Sequence, residues 1–422
     1  MVDLQFPDAL AQESESKIVF LILDGLGDLP TGPGGLTPLE AARTPNLDAL
    51  CESGTCGLLD PVQPGVTPGS GPAHLSLFGY DPVAHPVGRG ILSALGLNFP
   101  LQPGDVAARM NFATRDGAGN VTDRRAGRID DETNRRLVDL LNGGGESVSL
   151  DGVECLVRSE KEHRALIVFR GEGLTADVSD TDPQAEGVAP LTPRPTSPQG
   201  ERTANAVEAF VKRAGELLSG EPQANAVLLR GFDTLAPLPS MLERYRLRAL
   251  AIAGYPMYKG LARLVGMEVS EGSSDPQEQA GIAAQNWKGY DFFYIHVKAT
   301  DLYGENGDFD GKRKAIEQVD AAVPRLAELV FDAGPGKSSG KLPPNLPSNV
   351  LVVTGDHSTP VSLKAHSWHP VPVLLCSPAC RTDGQRTFGE RACAAGGLGR
   401  LPMRHLMSIA LAHAGRLAKF GA

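Results

Sequence analysis

The chain has 422 residues, 40 Lys plus Arg against 50 Asp plus Glu, and a formal net charge of −10. Hydrophobic residues make up 41% and charged residues 21%, the composition of an ordinary globular protein long enough to bury a core without disulfide or metal staples. The missing basic excess argues against a general nucleic-acid binder, and the chain has no apolar run near the ~20 residues that span a bilayer.

Residues 1–16 are polar and read as a loosely attached tail with no secretory h-region. Ile18 to Leu23 is an unbroken apolar run, partly β-branched, that stops at Asp24-Gly25. Such a run reads as a buried strand of a parallel sheet, with Asp24 at its carboxyl end, where α/β folds bind ligands. Thr44 and Pro45 open a short helix through Leu50 as N-cap and first helical residue. In Gly69-Ser70-Gly71-Pro72 the serine lies between two glycines just before a small apolar stretch, the arrangement of an accessible hydroxyl at a helix start. Taken by themselves, those residues read better as a flexible Gly/Pro turn.

Residues 90–240 differ in texture. They hold alternating stretches (106–112 and 164–170), many arginines, a Pro-rich loop at 189–200 and the acidic run 177–182, read as a polar loop. They read as a second α+β unit inserted into the first. Strand-like runs resume at 248–253, 290–298, 349–354 and 371–375, and the apolar spacing from Lys312 to Val330 predicts a helix between two of them. The Gly/Ser/Pro stretch 334–347 reads as a flexible loop. The six cysteines lack zinc-finger spacing and read as reduced thiols of a cytoplasmic protein.

Three of these strands each place an acidic residue just beyond the carboxyl end: Asp24, Asp301 and Asp356. With His357 and His366 they form an oxygen-rich set with two imidazoles, suited to Mn²⁺, Mg²⁺ or Zn²⁺. Any one of them alone reads as a turn or a solvated loop; the pattern lies in their common placement.

The segments LILDGLGD, TPNLDAL, PGSGPAHLSLFGYDP, HVKATDLYGENGDFDGK and GDHSTPVSLKAHSWHPVPVLL, in this order, resemble the archaeal-type cofactor-independent phosphoglycerate mutases of the alkaline phosphatase-like metalloenzyme superfamily. The resemblance implies an α/β fold with a central, mostly parallel sheet, formed by 17–90 and 241–422, interrupted by an inserted α+β phosphotransferase domain at 91–240. It implies interconversion of 3-phosphoglycerate and 2-phosphoglycerate through a phosphoserine on Ser70, without 2,3-bisphosphoglycerate. It also implies two divalent cations, Mn²⁺ first, with Mg²⁺, Co²⁺ or Zn²⁺ as alternatives. One would be held by Asp24, Ser70, Asp356 and His357, the other by Asp301, position 305 and His366.

Where the superfamily commonly has Asp-x-x-x-His, this chain has Asp301 followed by Glu305. A carboxylate there keeps a hard site and tilts preference towards Mn²⁺ or Mg²⁺ and away from Zn²⁺. Substrate contacts are expected from His74, Arg109, Asp123, Arg124, Arg125, Arg128, Arg164, Arg170, Arg230, Lys259 and Lys298, because guanidinium pairs bidentately with phosphate and carboxylate. Exclusion of water during the transfer calls for closure about hinges near 88–92 and 238–246. The same scaffold also serves metal-dependent phosphatases, other phosphomutases and inactive phospho-ligand binders. No nucleic-acid or membrane partner is expected, and a homo-oligomer is left open.

Overall fold

The structure is a computed structural model and describes residues 8–236, 238–331 and 347–421. It resolves into two compact units, one formed by residues 1–86 and 238–422 and the other by residues 87–237. The strands, in chain order, are β1 (Ile18–Leu23), β2 (Thr55–Asp60), β3 (Val106–Arg115), β4 (Val121–Asp123), β5 (Val148–Leu150), β6 (Val153–Lys161) and β7 (Arg164–Arg170). They continue with β8 (Ala226–Thr234), β9 (Ala249–Ala253), β10 (Glu268–Val269), β11 (Phe292–Val297), β12 (Val350–Thr354), β13 (Val371–Cys376) and β14 (Gly399–Pro402).

The first unit is built on an eight-stranded sheet in the order β10-β9-β11-β1-β12-β13-β2-β14. β13 runs antiparallel to both its neighbours and the other pairs are parallel. Every residue of β1, β9, β11, β12 and β13 is buried, as expected of strands covered on both faces. β11, β1 and β12 are adjacent and run the same way, with Leu23 opposite Val297 and Ile22 opposite Thr354. Their carboxyl ends therefore emerge side by side, and this places the site.

Helix Pro45–Ser53 starts after Thr44, but the Thr44 side chain makes no capping bond. The carboxylate of Asp320, from helix Phe309–Phe331, accepts from the amides of Asn46 and Leu47 instead. A partner distant in sequence thus satisfies orphan donors that a local hydroxyl was expected to cap.

Residues 8–16 do not form a loose tail. The Asp8 carboxylate pairs with Arg244 at 2.8 and 3.0 Å, Ala11 bridges Leu417, and Ser16 Oγ donates to Ala414 O at 2.7 Å. The expected loop 334–347 lies almost wholly outside the described residues. All six cysteines are free. Among the described residues no helix is long and apolar enough to cross a membrane.

The second unit is an antiparallel sheet, β4-β3-β7-β6-β5, with β8 paired to β3. Strand alternation divides its residues between two cores. Val106, Ala108, Met110, Phe112, Ile167 and Phe169 pack with helices Asp131–Leu141 and Glu201–Leu217. Ala107, Leu166 and Val168 pack with Ile91 and Ala94 of helix Arg89–Gly96. Arg109, Arg164 and Arg230 share the parity of this second face.

Candidate metal centre and nucleophile

Asp24 follows β1, Lys298 and Asp301 follow β11, and Asp356 and His357 follow β12. The donor atoms of Asp24, Asp356 and His357 lie within 4.8 Å of one another, as do those of Asp301, His357 and His366. His357 belongs to both groups, which sequence order could not show. Its Nε2 lies 3.4 Å from Asp24 Oδ1, 3.2 Å from Asp356 Oδ2 and 3.2 Å from Ser70 Oγ. The His366 ring stacks on that of His357 with centroids 3.7 Å apart, and its Nε2 lies 3.8 Å from Asp301 Oδ1.

Ser70 is the first residue of helix Ser70–Leu77, with Gly69 as N-cap. Its side chain therefore stands where the helix amides are unpaired, a setting that favours anionic groups. His74, one turn on, is completely buried, with Nδ1 2.8 Å from Ser70 O and 3.2 Å from Asp356 Oδ2. It was expected to touch substrate. Enclosed as it is, it supports Asp356 and the serine backbone.

The charges are arranged for a cation. Burial acts to raise the Asp24 pKa, but Lys298, His296 and His357 outweigh it and hold the carboxylate well below its usual range. Burial and Asp24 push Asp356 up, yet His357 and His74 bring its pKa down overall. Burial lowers the pKa of His357 and keeps its imidazole neutral. Metal ligands need these protonation states, ionised carboxylate and neutral imidazole. Both Asp24 oxygens and Asp356 Oδ2 are buried without a well-formed hydrogen bond. Their neighbours at 3.1–3.4 Å, Lys298, His296, His74 and His357, make ion-pair contacts without hydrogen-bond geometry, and buried acceptors so placed call for an explanation. A set of carboxylates and imidazoles whose inward oxygens lack well-formed hydrogen bonds fits a divalent cation.

The remaining candidates separate clearly. Lys298 Nζ lies 3.1 Å from Asp24 Oδ2 and 2.5 Å from Asp301 Oδ2, bridging the two groups. Glu305 is exposed on helix Ala299–Asn306 and is not brought into either group. The group around Asp301 thus holds two imidazoles and one carboxylate, so the argument from Glu305 against Zn²⁺ loses its basis. Lys259 donates to Glu271 O at 2.9 Å.

In the second unit, Arg124 pairs bidentately with Asp182 at 2.9 and 2.7 Å, and Arg230 stands 3.8 Å from the same carboxylate. Asp182 is buried, so the acidic run 177–182 is an organising element of the arginine cluster and not a solvated loop. Arg109 is tied to Ser93 and Glu160, and Arg170 to Asp105. Asp123 accepts from the amides of Arg125 and Gly127 and so shapes a turn. Arg125, Arg128 and Arg164 surround His163; burial first, then these charges, push its pKa down to about 4.

Four residues at or near these clusters were not singled out from sequence: His296, Lys312, Thr359 and Arg89. His296 lies 3.2 Å from Asp24 Oδ2 and stacks on Tyr258 at 3.7 Å. Its signal was strand parity, since His296 and Lys298 are two apart and turn the same way. Lys312, completely buried, donates to Gly25 O, Thr359 O and Asp28 Oδ2 at 2.8, 2.9 and 2.8 Å and holds the loops under the site together. Thr359 is treated below. Burial first, and then Arg89, lowers the pKa of Arg230. Only its place at a helix start, between two glycines, hinted at it.

With this geometry in hand, similarity to known proteins is decisive. A curated "probable 2,3-bisphosphoglycerate-independent phosphoglycerate mutase" of Thermus thermophilus is 50% identical over 98% of each chain. The chain belongs to the 2,3-bisphosphoglycerate-independent phosphoglycerate mutase family. The family model of that description matches residues 51–224. Among solved structures, a protein of Pyrococcus horikoshii is 32% identical with a TM-score of 0.79, covering 96% of this chain and 99% of its own. A cofactor-independent phosphoglycerate mutase of Thermoplasma acidophilum is 31% identical with a TM-score of 0.67, covering 95% and 100%. The α/β fold with its mostly parallel sheet is thus the fold of this family.

Proposed function

We propose that this mutase-family chain interconverts 3-phosphoglycerate and 2-phosphoglycerate through a phosphoserine at Ser70, without 2,3-bisphosphoglycerate. The observation that carries the reading is the position of Ser70 Oγ, 3.2 Å from the one imidazole common to both ligand groups and at a helix N-terminus. Asp24, Asp356 and His357 would hold one divalent cation, and Asp301 and His366 a second beside it, Mn²⁺ being the one to test first. Such cations supply charge neutralisation on the phosphoryl oxygens and a lowered serine pKa.

The serine hydroxyl gives up its proton as its oxygen attacks phosphorus, the bond from phosphorus to the substrate's C3 oxygen breaks, and that oxygen takes up a proton, so one proton is released and one consumed. Phosphoryl return to the C2 oxygen reverses these events, with Ser70 as leaving group. Lys298 offers its ammonium to the charge that builds on the phosphoryl group. The second unit's face bearing Arg109, Arg164 and Arg230 has the chemistry to retain a carboxylate or phosphate. Such an enzyme serves glycolysis and gluconeogenesis in the cytoplasm.

The test is a coupled assay on 3-phosphoglycerate with Mn²⁺ and without 2,3-bisphosphoglycerate, free phosphate being followed in the same tube. Metal-dependent 2-phosphoglycerate that disappears in Ser70→Ala, with little free phosphate, is the expected result. Free phosphate without isomerisation would make the chain a phosphatase. Neither product would make it a binder of phosphorylated ligands.

A further inference from the structure

Thr359 is completely buried, three residues after Asp356. Its Oγ1 lies 2.6 Å from Asp301 Oδ1 and 3.0 Å from His357 Nδ1, so one hydroxyl touches a residue of each ligand group. A hydroxyl has a single proton to donate. An ionised carboxylate can only accept, so that proton goes to Asp301. The Thr359 oxygen must then accept from His357, which puts the imidazole proton on Nδ1. His357 Nε2 is left with its lone pair, facing Asp24, Asp356 and Ser70.

The hydroxyl cannot turn away. The Thr359 amide donates to Gly27 O at 3.0 Å, and its carbonyl accepts from Lys312 Nζ at 2.9 Å. A Cβ on Gly304 would lie 2.9 Å from the Thr359 methyl, so the methyl is seated against bare backbone. Gly25 leaves the room in which the hydroxyl and Asp301 meet, since a Cβ there would lie 2.5 Å from Oγ1 and 2.7 Å from Oδ1.

We propose that Thr359 is a positioning residue that couples the two ligand groups, setting the His357 tautomer for one and the Asp301 orientation for the other through a single hydroxyl. This rests on the metal-centre reading above. Outer-shell partners of this kind are worth about 10–100-fold in metal affinity. Because the same atom serves both groups, its loss weakens uptake of both cations together.

The test titrates the full chain with Mn²⁺ alone, free ion being followed by electron paramagnetic resonance. Thr359→Val, which keeps the shape and deletes the hydroxyl, should bind about 10–100-fold more weakly at both sites. Thr359→Ser should stay within about threefold of wild type. Wild-type affinity in Thr359→Val overturns the proposal. Equal weakening in both variants does so too, because Ser retains the hydroxyl and the loss would then follow from disturbed packing.

A wild type that takes up no Mn²⁺ overturns the metal centre along with it, whereas intact wild-type uptake with an unaffected Thr359→Val removes this inference alone. A measurement without mutation stands beside these. Long-range ¹H–¹⁵N correlation on the metal-free wild type, with the His357 signal assigned from His357→Asn, should show the proton on Nδ1. A proton on Nε2 overturns the proposal even if Thr359→Val fails to fold.

Discussion

Lys298 Nζ lies 2.5 Å from Asp301 Oδ2, and the same ammonium reaches Asp24 Oδ2 at 3.1 Å. Burial acts to lower the lysine pKa, but the two carboxylates outweigh it and hold it well above the ordinary lysine range. The ammonium therefore competes with any cation for those oxygens. Lys298→Met should bind Mn²⁺ more tightly, by about 3–10-fold, since a neighbouring unit charge near a surface is worth a few kcal/mol at most. Its turnover should fall by about 100-fold, as when one electrostatic donor is removed from a reacting centre. Mn²⁺ titration beside the coupled assay checks both, and weaker Mn²⁺ binding would refute the competition.

Gly25 sits at φ +64°, a backbone region that side chains rarely adopt, in the turn that follows β1. Gly25→Ala adds strain of about 1–3 kcal/mol. It also drives its Cβ against Thr359 Oγ1 and Asp301 Oδ1. A lowered Tm and a turnover below about 1% of wild type are expected, given how steeply small misplacements reduce rate. A variant with wild-type turnover would show that the turn is not needed to seat these two residues.

Glu390 is half-buried beside Thr37, whose hydroxyl donates to it at 2.6 Å, and the Asp28 amide, at 3.2 Å. Burial raises its pKa from 4.5 to about 7, although the Thr37 bond works against the rise. A carboxyl with a raised folded pKa favours the folded state fully below its unfolded pKa. That contribution is lost as pH rises from about 4.5 through about 7. Glu390→Gln should flatten this part of the stability profile and gain up to about 3 kcal/mol over wild type at pH 8. Urea melts from pH 4.5 to 8 in the presence of chelator measure it. Parallel profiles for the two proteins would refute the assignment.

Burial, then Arg89, pulls the Arg230 pKa down to about 10, and Arg230 Nε is buried without a hydrogen bond. A like-charged pair of guanidiniums is relieved by an anion. Arg230→Met should raise KM for 3-phosphoglycerate by about tenfold or more, the worth of one charge-assisted bond, with a smaller change in kcat. An unchanged KM would remove Arg230 from substrate binding.

Much of the site was legible because continuous apolar strands end abruptly in Asp-Gly, Asp-His and Lys-x-x-Asp. Asp24, Asp301, Asp356 and His357 each stand one to four residues past a continuous apolar run, and short βα loops keep them at the sheet edge. Glu305 shows where that reasoning stops. Its spacing from Asp301 is right for a ligand on the same helix side, yet the side chain lies in solvent and His357 takes part in that group instead. Spacing fixes which residues share a helix face, but not what faces them. The same gap hid Asp182, whose acidic neighbourhood suggested a solvated loop although buried arginine pairing draws it inward.

By itself the sequence determined that this is an α/β protein with a buried parallel sheet, an arginine-rich second segment, a serine at a helix start and a family pattern from Lys17 onward. It could do so because hydrophobic period, turn chemistry and local motifs are short-range properties. Only the tertiary structure decided that β11, β1 and β12 lie side by side, that His357 is shared and that Lys298 bridges two carboxylates. Only the structure, too, showed one threonine hydroxyl touching both ligand groups. Each of those relations turns on a contact between residues more than 50 positions apart, such as Thr359 with Asp301 or Lys298 with Asp24, and long-range packing of strands and loops, not any local preference, sets those distances.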